Sequence, residues 1–255
     1  MWPNSIYWYA PEWHFFQLVQ RLIDLLKRIG VAVVRNGLAP SAVRDVFIFV
    51  TGPVSPKIGL TPLSATVGAL AASTSPTLAH VVDPGTDLLV VGVSTTANLT
   101  SISGITWTPT GGSAQAMTSV VQFGNGVAGS SHTAIFTLRL PVAGSGVLSI
   151  SSSNAALASA YGMACNFWGS KASGTIRNYL GDASLPHAHS VVAGDYLFEV
   201  LRNGAALTAA DGQTVYNGGG QPFGLKKIDT TGTDTLNWSG TTSYLTHSSI
   251  AIAGS

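Results

Sequence analysis

Short runs rich in β-branched and aromatic residues, separated by Gly, Pro, Asn and Asp turns, occupy the sequence from about residue 77 onward. About a dozen runs recur at roughly 8–12-residue spacing with no helical periodicity between them, which is typical of an all-β sandwich or barrel. The run Leu88–Thr95 is apolar on both faces and predicts a central strand. Because no linker interrupts the runs, we expect one large antiparallel β-sandwich of two sheets over residues 76–255.

One segment alone, Pro11–Gly30, has a clear helical pattern. Pro11 suits the first turn of a helix, and Gly30 can adopt the left-handed conformation that ends one. Apolar residues at alternating spacings of three and four form a coiled-coil seam, which predicts an oligomer interface. The residues of this seam are Phe15, Leu18, Leu22, Leu25 and Ile29. We expect a homo-oligomer, with a trimer as the predicted state.

A second apolar stripe lies beside the seam on the same predicted helix, and it consists of Phe16, Val19, Ile23 and Leu26. A two-stranded coiled coil would leave this stripe in water. It therefore requires a third helix, the chain's own β domain or a partner protein as a neighbour.

The segment before the helix is unusually aromatic. Exposed aromatic side chains promote aggregation, whereas interfaces use them as buried anchors. We interpret the segment as an extended arm that docks into a partner, and the alternative is that it folds back onto its own domain. The predicted docking residues are Trp2, Tyr7, Trp8, Tyr9 and Trp13.

A change in composition separates this N-terminal part from the β-rich part. Pro53, Pro56 and Pro62 lie in a Gly-, Ser- and Thr-containing stretch that has the character of a linker. Six of the 12 Lys and Arg residues lie within residues 1–57. We therefore predict an anchor over residues 1–52, a linker over 53–75 and the β-sandwich over 76–255.

Charge is scarce throughout the chain, at 9% of residues against roughly 25% in an ordinary soluble domain. Either neighbouring subunits cover much of the surface, or surface hydroxyls alone keep the protein soluble. The net charge of +1 creates no field that would attract nucleic acid, so we expect no nucleic-acid partner. Charged residues such as Arg21 and Asp24 interrupt the apolar helix, so we expect no transmembrane segment.

Signals for hydrolytic chemistry are weak. The sequence has neither a Gly-x-Ser-x-Gly nor a His-Glu-x-x-His motif. Asp195 and Glu199 are four residues apart on one predicted strand, and therefore share a face. They are either the carboxylate pair that a glycosidase needs or part of a solvated strand face.

Two further groups of residues have metal-binding potential. His187 and His189 share one face of a predicted strand, a spacing that suits a metal site or a pH-sensitive interface. Other histidines that could complete such a site are His80, His132 and His247. Asp83 and Asp87 flank a Pro-Gly turn and either bind Ca²⁺ or only form the turn. We predict no bound cofactor.

Three tryptophans, Trp107, Trp168 and Trp238, would form a sugar-binding platform if they were exposed. Their apolar strand contexts instead favour the core. Cys165, the single cysteine, lies in the apolar run YGMACNFW and is interpreted as a small core residue.

The strand rhythm also carries a resemblance to a known class of domain. The runs DLLVVGVS (residues 87–94) and LPVAGSGVLSIS (residues 140–151) precede a long apolar strand, and DTLNWSGTTSYLTHSSIAIAG closes the chain. Over about residues 75–255 this resembles a domain common in bacteriophage structural proteins. The resemblance implies a jelly-roll or lectin-like sandwich of the kind found in tail fibres, head fibres and decoration proteins.

Together these features predict a mainly β, jelly-roll-like sandwich with an N-terminal amphipathic helix and extended arm. The predicted function is that of a non-enzymatic structural protein of a virion, whose anchor docks on a capsid, neck or tail protein and whose sandwich projects outward. An alternative is a carbohydrate- or host-receptor-binding module that contacts a host glycan. A third hypothesis is a hydrolase of cell-wall glycan.

Overall fold

The computed structural model describes residues 59–96, 101–124, 131–153, 156–209, 212–216 and 221–255. They belong to one compact unit, Ile58–Ser255, and form strands without any helix. The predicted arm and helix therefore lie outside the described residues, while the mainly β class is confirmed. The strands are β1 (Thr61–Leu70), β2 (Thr77–Val82), β3 (Leu88–Thr95), β4 (Ile102–Pro109), β5 (Gln115–Ala116), β6 (Thr118–Gly124), β7 (His132–Arg139), β8 (Gly144–Ser152), β9 (Ala160–Trp168), β10 (Ile176–Asp182), β11 (His187–Val191), β12 (Tyr196–Arg202), β13 (Thr208–Ala209), β14 (Thr214–Tyr216), β15 (Phe223–Lys227), β16 (Gly232–Leu236), β17 (Trp238–Ser239) and β18 (Thr246–Ile252).

A five-stranded antiparallel sheet, here called the central sheet, has the order β1-β9-β3-β7-β6. Its middle strand β3 is buried at every residue. Since side chains alternate across a strand, Leu89 and Val91 enter one apolar core while Leu88 and Val90 enter another. The apolar run that predicted a central strand thus supplies both faces of the sheet.

The front sheet, with the order β2-β8-β4-β5, covers one face of the central sheet. Trp107 and Ile105 of β4 and Leu148 of β8 are fully buried in the core between the two sheets. The indole N–H of Trp107 donates to the Val142 carbonyl at 2.9 Å, so the buried ring keeps its hydrogen bond.

The rear sheet, with the order β10-β18-β12-β15-β14, covers the opposite face. Phe198 and Val200 of β12 and Ile250 of β18 are buried against the central sheet. The two sheets approach closely at Gly92 of β3, where an added Cβ would lie 2.4 Å from Val200 Cγ2. Glycine is therefore needed at this position because the backbone and a facing side chain are almost in contact.

A two-stranded antiparallel ribbon of β11 and β16, here called the outer ribbon, covers the far side of the rear sheet. Val191 and Leu236 of the ribbon form a small apolar cluster with Leu197 and Ala251 of the rear sheet. A shorter ribbon of β13 and β17 places Trp238 beside Leu201 of the rear sheet.

The predicted two-sheet arrangement is therefore wrong in one respect, and so is its jelly-roll-like detail. A jelly roll has two sheets, whereas here three sheets are stacked and a ribbon covers the third. The physical reason lies in the central sheet: a sheet that is apolar on both faces must be covered on both.

The predicted linker over residues 53–75 also needs correction. Thr61–Leu70 within it forms β1, which pairs with β9 along the edge of the central sheet. The register shifts between Pro62 and Ala65. An edge strand tolerates proline because the missing N–H faces away from the sheet, so Pro62 did not prevent strand formation.

Candidate functional site

Among the described residues, the most concentrated set of titratable side chains lies between the rear sheet and the outer ribbon. Strand alternation positions it: His187 and His189 of β11 are buried while Ala188 between them is exposed. On β18, alternation brings His247 and Ser249 to the side of the sheet opposite Ile250, facing the ribbon. The two predicted face-sharing histidines are therefore confirmed as neighbours in one buried layer.

Five of these side chains form a continuous chain of contacts, here called the histidine relay: Asp182, His187, Ser249, His189 and Asn178. Asp182 Oδ1 lies 2.8 Å from His187 Nε2, and His187 Nδ1 lies 2.6 Å from Ser249 Oγ. The same hydroxyl lies 2.8 Å from His189 Nε2, and His189 Nδ1 contacts Asn178 Oδ1. Ser249 thus links the two imidazoles across the layer.

Beside the relay, Glu199 of β12 is fully buried. Its Oε1 accepts a hydrogen bond from the indole N–H of Trp238 at 2.9 Å, and its Oε2 lies 2.9 Å from His247 Nε2. The His247 ring stacks on His187 with centroids 3.5 Å apart and an interplanar angle of 11°. Glu199 is therefore held against the relay through His247.

Burial controls the protonation of this layer. It lowers the pKa of His187 and His189 to about 4 and that of His247 to about 3. It also raises the pKa of Glu199 to about 8, against the opposing effect of the Trp238 hydrogen bond. At neutral pH the three imidazoles are therefore neutral and Glu199 retains a proton.

Asp182 behaves differently because it is half-exposed at the end of β10. Burial raises its pKa, but hydrogen bonds from Ser184 and His187 outweigh that effect and lower the pKa to about 2. The Ser184 N–H and O–H both donate to Oδ1, each at 2.7 Å. Asp182 is therefore a carboxylate over most of the pH range.

The contact order Asp182–His187–Ser249 has the composition of a Ser–His–Asp triad. However, Ser249 is fully buried and its hydroxyl also contacts His189, so a substrate could reach it only if the outer ribbon moved away. Among the described residues, no group of three or more His, Cys, Asp or Glu side chains could hold a metal ion. The metal-site alternative for His187 and His189 therefore gains no third ligand there.

The predicted carboxylate pair does not form a shared cleft. Asp195, which immediately precedes β12, forms a bidentate ion pair with Arg177, at 2.6 Å to Nε and 3.2 Å to Nη2. Glu199 instead binds Trp238 and His247. Both carboxylates are buried and bound to separate internal partners, which contradicts the arrangement that the glycosidase hypothesis required.

The two aspartates near the Pro-Gly turn also have internal partners. Asp83 Oδ2 accepts hydrogen bonds from the Ser64 hydroxyl at 2.5 Å and the Asn166 amide at 3.1 Å. Asp87 accepts from the backbone N–H groups of Gly169 and Ser170. These bonds join the turn to β1 and to the end of β9, so structure alone explains both aspartates.

The tryptophans differ in exposure. Trp107 and Trp238 are buried with their indole N–H groups bonded, as the core interpretation predicted, whereas Trp168 is half-buried. Cys165 is a buried free thiol, and burial raises its pKa to about 12. It therefore remains an unreactive core residue, as expected.

Sequence reasoning missed most of this layer. It identified His187 and His189 but not the roles of Ser249, Asn178 and Asp182. The run THSSIAI carries no period-two signal, because its first four residues are polar and its last three are apolar, so periodicity could not assign His247 and Ser249 to one polar face.

Comparison with protein-family models, curated proteins and solved structures finds no match to this chain. Within the part of the chain that the structure describes, no helix has the length and apolarity to span a membrane.

Proposed function

We propose that the protein is a non-enzymatic structural protein of a virion-like particle. Its N-terminal arm and helix would dock and oligomerise, and its β-sheet stack would be displayed from the particle. The single observation that most supports this is the internal use of the buried carboxylates. Asp195 binds Arg177, and Glu199 binds His247 and Trp238, so these groups join strands of the rear sheet to one another and to β17 instead of lining a cleft.

The charge distribution supports the same proposal. Ion pairs of the stack include Lys226 with Asp234 at 2.7 Å, which joins the rear sheet to the outer ribbon. Much of the remaining surface consists of Ser, Thr, Gly and Ala. A module with few charges, whose buried carboxylates are bound to internal partners, suits a passive, repeated element whose neighbours cover part of its surface.

The helix supplies the proposed assembly device. Burial of the five seam side chains would contribute about 10 kcal/mol per chain before the entropy of association is subtracted. The seam spans fewer than three heptads, so the helix should associate only with help from the β-sheet stack or a partner. Docking through Trp2, Tyr7, Trp8, Tyr9 and Trp13 would then attach the oligomer to a capsid, neck or tail protein.

Light scattering on the full chain tests the assembly part of the proposal. The wild type should have about three times the 26.2 kDa chain mass, and Leu22→Asp should shift it toward the monomer because a carboxylate would enter the seam. Gln20→Asp, outside both apolar stripes, is the matched control and should retain the oligomer. A wild-type monomer, or an unchanged mass for Leu22→Asp, would contradict the proposed seam.

Particle incorporation tests the docking part. Replacing Trp8 and Tyr9 with alanine should abolish co-sedimentation with assembled particles while leaving the oligomer mass unchanged. If the double variant co-sediments as well as the wild type, the arm is not the docking element.

A further inference from the structure

The number of hydrogens that the contacts of the histidine relay require can be counted, because the hydrogen-bonding roles of its two end groups are fixed. At one end, the Asn178 amide N–H donates to the Ser190 carbonyl at 2.6 Å, which leaves Asn178 Oδ1 to accept from His189. At the other end, Asp182 Oδ1 already receives two hydrogens from Ser184 and accepts a third from His187. Both ends of the relay are therefore acceptors.

Between these acceptors lie four contacts, each of which needs one hydrogen: Asn178–His189, His189–Ser249, Ser249–His187 and His187–Asp182. Two neutral imidazoles and one hydroxyl supply three. With both rings neutral, one contact therefore brings two lone pairs together, and a fourth hydrogen would complete the chain.

We propose that the relay is a binding site for a single proton, which His187 and His189 share through Ser249 before the pair takes up a second proton. One added proton fills all four contacts, and the positive charge moves from His189 to His187 when His189 Nε2 passes its proton to Ser249 Oγ and the Ser249 hydroxyl passes its own to His187 Nδ1. The Asp182 carboxylate compensates that charge at one end of the relay.

A second proton has no contact to fill. With both rings cationic, Ser249 Oγ would accept from both, and its own hydrogen would lose its partner. The two cations would also lie in a buried layer with ring centroids 6.4 Å apart. The site therefore saturates at one proton.

The titratable and charged groups around the relay also favour the uptake of only one proton. His247 stacks on His187 at 3.5 Å, so a charge on both of these rings is unfavourable. Glu199 faces the relay from β12 across His247, and Lys226 faces it from β15, paired with Asp234 of β16. The remaining nearby charges, Arg177 and Asp195, neutralise each other.

Burial of the imidazoles opposes proton uptake, which places the event in the acid range. The relay joins β10, β11 and β18, so the bound proton adds a hydrogen bond between the outer ribbon and the rear sheet. Proton uptake is therefore coupled to how firmly the ribbon is held.

Histidine NMR titration of the full-length protein between pH 3 and pH 8 tests the proposal. His187 and His189 should titrate in the first step with one common midpoint, and their fractional shifts should sum to one proton, roughly half on each ring if the sites are equivalent. A first step that carries two protons, or two full transitions with separate midpoints, would overturn it.

Two variants sharpen the test. In Ser249→Ala the bridge is gone, so the rings should titrate separately with midpoints about one pH unit or more apart. In Asn178→Ala three hydrogens fill the three remaining contacts, so the first midpoint should fall by about one pH unit. Thr66→Ala is the matched control, because Thr66 contacts His80 in another layer at 2.9 Å and should affect only His80.

If Ser249→Ala does not fold, the NMR titrations of the wild type and of Asn178→Ala test the shared proton on their own. A common midpoint that persists in Ser249→Ala, or a first midpoint that does not move in Asn178→Ala, would each contradict the shared proton.

Discussion

The two faces of the rear sheet are built by the same strands but have opposite chemistry. On β12 and β18, Phe198 and Ile250 face the central sheet in an apolar core. The alternate positions, Glu199, His247 and Ser249, face the outer ribbon in a hydrogen-bonded layer. All five of these side chains are fully buried, so the difference between the two groups is one of chemistry and not of solvent access.

This contrast shows how one sheet can be covered on both sides by different means. Apolar burial is insensitive to pH, because it depends on the area removed from water. A buried polar layer depends on the protonation state of each member, because a charge without its partner is costly there. The following predictions test whether substitutions on the apolar face have pH-independent effects while substitutions on the polar face have pH-dependent ones.

Phe198→Ala should have the largest effect. It removes a fully buried ring from the apolar face and should lower the free energy of unfolding by about 4 kcal/mol. The loss should be equal at pH 5 and pH 8 in urea denaturation. Val192→Ala, at a position 40% exposed, is the control and should change stability by less than about 0.5 kcal/mol. If the free energy that Phe198→Ala removes depended strongly on pH, the apolar face would not be insensitive to pH.

Glu199→Gln should have an effect that grows as the pH rises from 4.5 to 8. Burial raises the Glu199 pKa to about 8 from the 4.5 of a free glutamate, so the native state holds a proton that the unfolded state releases between those values. The wild type therefore loses stability as the pH rises from 4.5 through 8. Gln has the shape of the protonated acid and no such loss, so the variant should be more stable by about 3 kcal/mol at pH 7 and similar near pH 4.5.

Denaturation curves at several pH values measure this difference. Parallel pH profiles for the wild type and Glu199→Gln would show that Glu199 is not protonated in the folded protein.

A pair of glycine substitutions compares the two faces directly. An added Cβ at Gly224 would lie 2.1 Å from Glu199 Oε1, and one at Gly92 would lie 2.4 Å from Val200 Cγ2. Each alanine variant should cost about 2 kcal/mol, because neither neighbour has free space. Only Gly224→Ala should alter the Trp238 fluorescence, because it displaces the carboxylate that binds the indole. Equal changes in Trp238 fluorescence in the two variants would show that a substitution on the apolar face also disturbs the polar layer.

His247→Gln should have the smallest effect, and only in acid. Burial lowers the His247 pKa to about 3, whereas the unfolded imidazole titrates near 6.5. The unfolded state therefore binds more protons, and the wild type loses stability as the pH falls from 6.5 toward 3. Gln does not titrate, and its carbonyl can still accept a hydrogen bond from the protonated Glu199, so its stability relative to the wild type should rise by roughly 1–2 kcal/mol between pH 7 and pH 5. Thermal denaturation at both pH values checks this, and no relative change would refute it.

Much of the β fold follows from local pattern. Leu88–Thr95 was predicted with the observed bounds, because turn residues flank a continuous run of β-branched and apolar residues of strand length. Thr61–Leu70 was missed because proline and small residues conceal an edge strand. The helix and arm remain predictions, since they lie outside the described residues.

The candidate site was less accessible to sequence reasoning. Alternation placed His187 and His189 on one face, and it placed Asp195 and Glu199 together in the same way. It could not show that Asp195 pairs with Arg177 while Glu199 pairs with His247, because those partners come from other strands. Periodicity defines a face but says nothing about what covers it.

The sequence by itself determined that the chain forms many antiparallel strands and which side chains of each strand share a face, because both depend on local period and turn chemistry. Only the tertiary structure decided that three sheets stack under a ribbon, and that Ser249 lies between two histidines some sixty residues earlier in the chain. The physical reason is that sheet stacking and strand order depend on long-range apolar burial, and a buried hydrogen-bond network forms only after that burial has brought its members together.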